Sequence, residues 1–570
     1  MTEKRQTSHW LEIEVGVLVL LVAGIYFSRL TTLSIRGEES RRARVAYEML
    51  HTGDWIVPRQ QGEPFLDRPP LQNWVIALAA LAIGDVNPAA VRLPSAVATL
   101  LTTLLIYGYS RSFLSRLGAL GAGMSFATMA QVLELGHLAE TEALFTLLVS
   151  GSLLLWHFGY VQGWPAISTW VIGYILAALG ALAKGPQAPI YFIGSVWIFL
   201  LLKRDWRYLK SWSHAGGLFA FVMVLGAWQS PFYLQLGWQG VQHIWLSEVA
   251  KRFSDRGLAP VVTHLATYPF EILSCMLPWS LLLACFLIKG FRQSIGLARP
   301  TVLFLGTCLL VTFPSVWISP GARGRYFMPL YPCVAPLIGL VIQRCYEPGF
   351  GSSWRRVWTW YLRGLGVTTV IAGLGMLGAS LLAKPTELVW AQPPMFALVY
   401  ALVAVAAATV VFWASRGSSN PIRRRIAVIA VAGFLGLTFT GVMVNRLVND
   451  SVDTEAAIAR LKQELPKGHR LVSLGPVHHL FAYYYREPIK LVVWPSDGGE
   501  LDAEGTYFCF DRFPGSNVVI PFMWEEVATI SVARFRSHRL QESVVIGRRL
   551  PAERATPLPP SPFTSTGRSA

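Results

Sequence analysis

The sequence predicts a polytopic α-helical membrane protein of about 13 transmembrane helices with a small C-terminal α/β domain outside the bilayer. Three observations predict it. Of 570 residues, 53% are hydrophobic and 14% charged, and mean hydropathy is +0.44, more apolar surface than a water-facing exterior accommodates. The apolar residues gather into runs of helical length. After residue 445 the pattern changes to one amphipathic helix and several short alternating strands.

The runs lie at 13–30, 88–110, 117–136, 142–160, 165–183, 187–202, 214–232, 268–288, 300–319, 325–343, 360–382, 395–414 and 425–444. Each approaches the roughly 20 residues that a span requires. Lys4 and Arg5 precede the first run and no small-residue cleavage site follows it, which reads as an uncleaved first span. With the N-terminus cytoplasmic, the inner loops are RSFLSR, KRDWRYLK, KGFRQSIGLAR, QRCYEPGFGSSWRRVW and RGSSNPIRRR. All are basic and nearly free of acid, as the positive-inside rule demands. The expected topology is N-in and C-out, in a cell (inner) membrane. The same rule accounts for the formal charge of +16, so nucleic acid is excluded as a partner. Six scattered cysteines without a CxxC spacing support neither a disulfide framework nor a zinc ribbon. No internal repeat is visible, which argues against a transporter built from inverted halves.

Three external segments exceed the length of a connector: 31–87, 233–267 and everything beyond 445. In the last, DTEAAIARLKQEL reads as a helix and RLVSLG, IKLVVWP and GTYFCF as strands, giving a domain over 446–550. The Pro-, Ser- and Thr-rich stretch 551–570 reads as a disordered tail.

The first external segment carries the chemistry. Six of the nine residues from Arg36 to Arg44 are charged. RRARVAYEML is expected to be a helix ending at Gly53 and folded onto the membrane surface. A solvated interfacial helix explains charges alone. Carboxylates at two separated points of one loop, Glu38-Glu39 and Asp67, with Arg68 between acid and Pro-Pro, point instead to a site for a phosphate-bearing ligand. Glu142 opens the fourth run, where an acid also suits a helix N-terminus. Lys184, Arg323 and Arg325 are basic residues on the side where the topology rule predicts few. His264, before the eighth run, is the other polar residue of interest.

The run GEESRRARVAYEMLHTGDWIVP, followed by FLDRPPLQNW, resembles the first external loop of the aminoarabinose transferase and protein O-mannosyltransferase group. These are GT-C class glycosyltransferases that use polyprenyl-phosphate-linked sugars. Thr141-Glu142, Lys184-Gly185, Pro278-Trp279-Ser280 and RGRYFMPLYP at 323–332 extend the resemblance over about residues 30–345. Glu38 and Glu142 stand where Asp is commoner in the group, and Asp67-Arg68 where the aminoarabinose transferases have an acid and Lys. The resemblance implies transfer of a sugar, with inversion, from a polyprenyl phosphate to an external lipid A-type glycolipid, glycan or protein. It implies catalytic roles for Glu38, Glu39 and Glu142, with Glu38 as general base, and donor-phosphate contacts from Arg68, Lys184, Arg323 and Arg325. Some relatives place a metal-binding His near His264, so Asp67 with His264 would be the pair for a divalent metal (zinc, magnesium or manganese). No tetrahedral ligand set is visible. The alternatives are a flippase or transporter of lipid-linked sugar, which would place ionisable residues mid-span, and an oligosaccharide ligase of the same fold.

Overall fold

The computed structural model describes residues 2–252, 258–346, 352–382, 392–416, 420–495, 506–513, 518–536 and 542–550. The chain forms two compact units, one of Met1–Gln60 and Pro64–Asn449 and the other of Gln61–Glu63 and Asp450–Ala570. The tail expected at 551–570 lies outside the described residues.

The larger unit is helical, and helix covers every apolar run of the sequence. Among the described residues, nine helices are long and apolar enough to cross a membrane. A tenth follows if Ala259–Cys275 and Trp279–Leu287, bent by 118°, form one span. The expected count of thirteen is not reproduced, because several runs are broken or short. The first is α1 (Thr2–Val22), which passes into a π-helical turn at Ala23–Phe27. The run at 117–136 splits into α5 (Arg116–Ala127) and α6 (Ala130–Leu135). The run at 268–288 breaks at Pro278, which has no N–H to continue a helix. The two breaks meet: Trp279 Nε1 donates to Thr128 Oγ1 at 2.9 Å, and Ala130 N to Leu277 O at 3.1 Å.

Small residues allow the spans to approach closely. A Cβ on Gly118 of α5 would lie 3.1 Å from the carbonyl of Gly339 and 2.9 Å from Gln343 Oε1, both in the helix Tyr331–Arg344. The 41-residue helix Trp212–Arg252 covers residues 233–252 of the segment expected as a second external loop and bends at Gly237, whose φ is +63°.

The first external segment is folded. α2 (Glu38–Thr52) starts after Gly37 (φ +54°) and stops at Gly53 in the left-handed region (φ +73°). Asp54 Oδ1 then accepts the N–H groups of Ile56 and Val57, making a tight turn. Trp74 and Trp228 donate their indole N–H groups to the carbonyls of Trp55 and Ile56, at 2.7 and 3.0 Å. Val57 is buried with Leu182, Trp228, Phe232 and Ile244. The segment also contains α3 (Leu71–Ile83), an apolar helix that the sequence reading left inside the loop. The spans that carry the site are α4 (Pro88–Ser110), α7 (Glu142–Gln162) and α8 (Ala166–Lys184).

The smaller unit is a five-stranded sheet in the order β4-β3-β5-β7-β6. Its strands are β3 (Leu471–Leu474), β4 (Lys490–Val492), β5 (Tyr507–Arg512), β6 (Trp524–Ser531) and β7 (Ser543–Arg549), following the two-residue strands β1 (Arg59–Gln60) and β2 (Glu63–Pro64). β3 runs parallel to β4 and β5, whereas β5, β7 and β6 are antiparallel. The helix Thr454–Glu464 and strands β3, β4 and β5 fall on the segments expected from the sequence. β6, β7 and the short helix His479–Tyr485 were not anticipated.

Asp511, at the end of β5, accepts the backbone N–H of His478 at 2.9 Å. Burial pushes its carboxyl up from an ordinary 3.8 to about 6, against that hydrogen bond, and Glu542 adds to the rise. A raised acid gives stability that is present below the unfolded pKa and lost as pH rises through about 6. Asp511→Asn is therefore expected to slow hydrogen exchange of the β5 amides at pH 7 relative to the parent. The difference should vanish near pH 4. An equal effect at both pH values would count against it.

Candidate active site

The charged segments of the larger unit converge on one cavity of about 340 Å³. Its walls are the first turns of α2 (Glu38, Arg41, Arg42), the turn before α3 (Asp67, Arg68), the residues entering α7 (Glu140, Thr141, Glu142) and the segment Arg323–Tyr326. Four carboxylates and five arginines thus face one space. Glu142 begins α7 and Lys184 ends α8, so the antiparallel packing of the two spans brings these residues together.

The charges are not equivalent. Lys184 Nζ donates to Glu142 Oε1 at 2.9 Å and is buried between the rings of Phe145 and Tyr326. Arg325 forms an ion pair with Glu140 and approaches Glu142 at 3.7 Å. Arg41 holds Glu38 at 3.1 Å and lies 3.7 Å from Asp67. Each carboxylate therefore has a cation. Arg42, Arg68 and Arg323, in contrast, make no ion pair with a described residue. Burial, with the charge of Arg68 beside it, lowers the guanidinium of Arg42 to about 10. An anion entering the cavity would relieve that cost. Among the four carboxylates, Glu38 and Asp67 keep 39% and 30% of their side-chain surface, against 10% and 5% for Glu140 and Glu142. The first two are open to an incoming reactant.

Behind this wall lies a second set of charges. Glu39, adjacent to Glu38 and rotated about 100° around the helix, is 1% exposed. Its oxygens accept Arg92 Nε and Nη2, each at 2.8 Å, and the N–H of Ala139 at 3.0 Å. Arg92, itself fully buried in α4, also donates to the carbonyls of Leu30, Leu33 and Ser34. Burial acts to raise the Glu39 carboxyl, but Arg92 and the Ala139 N–H outweigh it and hold the pKa below its ordinary value.

The structure thus gathers Glu38, Asp67, Arg68, Glu142, Arg323 and Arg325 from the sequence-derived candidates. It places Lys184 behind the wall, bonded to Glu142. Two candidates are not in the cavity. Glu39 spends all its bonds on Arg92 and Ala139. His264 points Nε2 at Val316 O, 3.4 Å away, beside the ring of Tyr268. Asp67 lines the cavity 3.7 Å from Arg41, and His264 is not among the residues lining it. Among the described residues no three His, Cys, Asp or Glu side chains form a metal-sized group. No step below uses a metal. Sequence reasoning gave no role to Arg42, Glu140 or Arg92. The available signals were an Arg inside an apolar run at Arg92 and the pair of acids in AETEA.

The comparisons follow this geometry. Residues 67–228 match the family described as dolichyl-phosphate-mannose-protein mannosyltransferase. The undecaprenyl phosphate-α-4-amino-4-deoxy-L-arabinose arabinosyl transferase of Pseudomonas aeruginosa (strain LESB58) is 26% identical over 471 residues, 80% of each chain. ArnT of Cupriavidus metallidurans, crystallised with undecaprenyl phosphate, superposes with a TM-score of 0.69 at 18% identity, over 95% of this chain and 98% of that one.

The chain is thus similar in sequence to the aminoarabinose transferases and shares the fold of ArnT.

The likeness to ArnT takes in residues of both units, since it covers almost the whole of each chain. The family match opens at Asp67, the residue that begins the Arg68-bearing turn of the cavity.

Neighbouring substitutions on α2 separate the two sets of charges. Glu39→Gln leaves Arg92 buried without its counter-charge, so a loss of about 3–5 kcal/mol in stability is expected. Glu38→Gln breaks only a half-exposed pair and should cost no more than about 1 kcal/mol. Thermal unfolding of both variants in detergent measures the contrast, and equal losses would contradict it.

Proposed function

We propose that the chain transfers a single sugar from a polyprenyl phosphate to an acceptor at the extracytoplasmic face of the inner membrane. The observation that carries this reading is the trio Arg42, Arg68 and Arg323, which share a cavity with paired carboxylates yet make no ion pair with a described residue. Three guanidinium groups complement a phosphate, and planar forks bind its oxygens in pairs. Relatives that act on undecaprenyl-phosphate sugar, and the ArnT crystallised with undecaprenyl phosphate, support the donor.

The chemistry divides between the two kinds of charge. The acceptor hydroxyl oxygen attacks the anomeric carbon as the bond from that carbon to the carrier phosphate oxygen breaks, with inversion. The phosphate leaves with the bonding pair, and the added negative charge falls on the three arginines. The acceptor proton passes to Glu38, the most accessible carboxylate of the cavity, which its partner Arg41 orients. Lys184 and Arg325 act through Glu142 and Glu140, fixing the floor against which the donor rests. The acceptor is a glycolipid, glycan or protein displayed on the same face. The N-terminus lies in the cytoplasm and the smaller unit outside.

Transfer from synthetic undecaprenyl-phosphate sugar by the purified protein tests the reading directly. Glu38→Gln should reduce kcat by about 10²–10⁴-fold, since the amide keeps the shape but takes no proton. Near-normal turnover would move the base to Asp67. Arg68→Ala and Arg42→Ala should each raise the donor KM roughly ten- to a hundredfold, the worth of a charge-assisted hydrogen bond, with little change in acceptor KM. Unchanged donor dependence in both would remove the phosphate from this cavity.

A further inference from the structure

The apolar run 268–288 contains one charged residue, Glu271. An acid in such a run is costly unless something holds it there. The cavity chemistry does not account for it, because Glu271 is not among the lining residues. Its surroundings do. Glu271 belongs to the helix Leu258–Cys275, in which positions 264, 268, 271 and 275 share one face. That face runs along the segment 316–324. His264 Nε2 lies 3.4 Å from the carbonyl of Val316, and Trp317 Nε1 donates to Leu265 O at 2.8 Å. Tyr268 donates its hydroxyl to Arg323 O at 3.3 Å. Glu271 Oε1 accepts the N–H of Gly324 at 2.6 Å.

The last two bonds fall on a single peptide unit, the one joining Arg323 to Gly324. Its carbonyl is held by Tyr268 and its N–H by Glu271, two residues one helical turn apart. The approach is so close that position 324 requires glycine. A Cβ there would lie 2.7 Å from Cys275 Sγ and 2.9 Å from Glu271 Oε1. Arg323 is the residue that benefits. Arg41 and Arg325 are oriented by carboxylates, whereas Arg323 is exposed and makes no ion pair with a described residue. A long side chain without such a partner is placed only by the backbone that carries it.

We infer that Glu271 is a positioning residue for the carrier phosphate: through the Gly324 N–H it fixes the backbone from which Arg323 reaches the cavity. Tyr268 secures the other end of the same peptide unit. This deepens the donor reading above and rests on it. Glu271 itself touches neither donor nor acceptor. An acid that merely anchored the helix at the membrane surface would affect stability and leave phosphate binding alone.

Undecaprenyl phosphate is the probe, titrated against the full-length protein in detergent, so neither sugar nor acceptor need be known. Arg323→Ala is expected to weaken binding roughly tenfold or more, the worth of a charge-assisted contact. Glu271→Ala should weaken it about tenfold, since a misplaced cation loses most of that contact. Glu271→Gln, whose carboxamide oxygen still accepts an N–H, should stay within about threefold of the parent. The decisive measurement is the double variant. With no guanidinium left to place, adding Glu271→Ala to Arg323→Ala should cost no more than about a further twofold. Tyr268→Phe keeps the ring and loses the hydroxyl, and should weaken the parent in the same sense. Dissociation constants are read on the folded fraction, so a lower yield of any variant leaves the comparison sound. Three results overturn the inference while leaving the donor reading in place: parental binding by Glu271→Ala, a Gln variant as weak as the Ala variant, or losses at 271 and 323 that add in full. Failure of the parent to bind undecaprenyl phosphate removes the donor reading and this inference with it.

Discussion

The candidate site depends on one buried ion pair. Arg92 brings a full charge into the packed interior of α4, and only a nearly complete set of acceptors makes that tolerable. Glu39 supplies two of them, and the carbonyls of Leu30, Leu33 and Ser34 supply the rest. In meeting that demand the chain is fixed in three places: the end of the first span, the first turn of α2 and, through Ala139 N–H, the approach to α7. Those places present Glu38, Glu140 and Glu142 to the cavity. A group that takes no part in the reaction thus sets the positions of the groups that face it.

The cavity itself is organised by a division among its cations. Arg41, Lys184 and Arg325 are spent on carboxylates, which holds those carboxylates in place. Arg42, Arg68 and Arg323 are not spent, and they keep their charge for a ligand. Holding such a cation buried is costly without a ligand: burial first, and the charge of Arg68 second, lowers Arg42 to about 10. A preorganised site of this type stabilises charge that develops during reaction, because its dipoles and charges need not reorganise.

Much of this was legible in the sequence. The length and spacing of the apolar runs gave the helical class, and Gly53 marked the end of α2. Glu142, Arg323 and Arg325 could be gathered because each stands at a run boundary, and Glu38, Asp67 and Arg68 because acids and arginines recur at two points of one long segment. What was not legible depends on distances through space. Glu38 and Glu39 are equivalent in the sequence, and only the direction of Arg92 in α4 makes one of them structural. Breaks within apolar runs escaped for the same reason. Pro278 and the Thr128–Trp279 bond turn two expected spans into four shorter pieces, and hydropathy alone does not register a change of direction. α3 was hidden by its brevity, with 13 residues between two loop-like stretches.

The unspent arginines also bear on what happens after the sugar has gone. In the proposed reaction the donor is a phosphodiester with one negative charge, and the spent carrier is a monoester approaching two at neutral pH. A wall of guanidinium groups holds the second more tightly than the first. The site is thus built to grip its leaving product harder than its incoming substrate. Release of the spent lipid is then the step that the charges of the site oppose most.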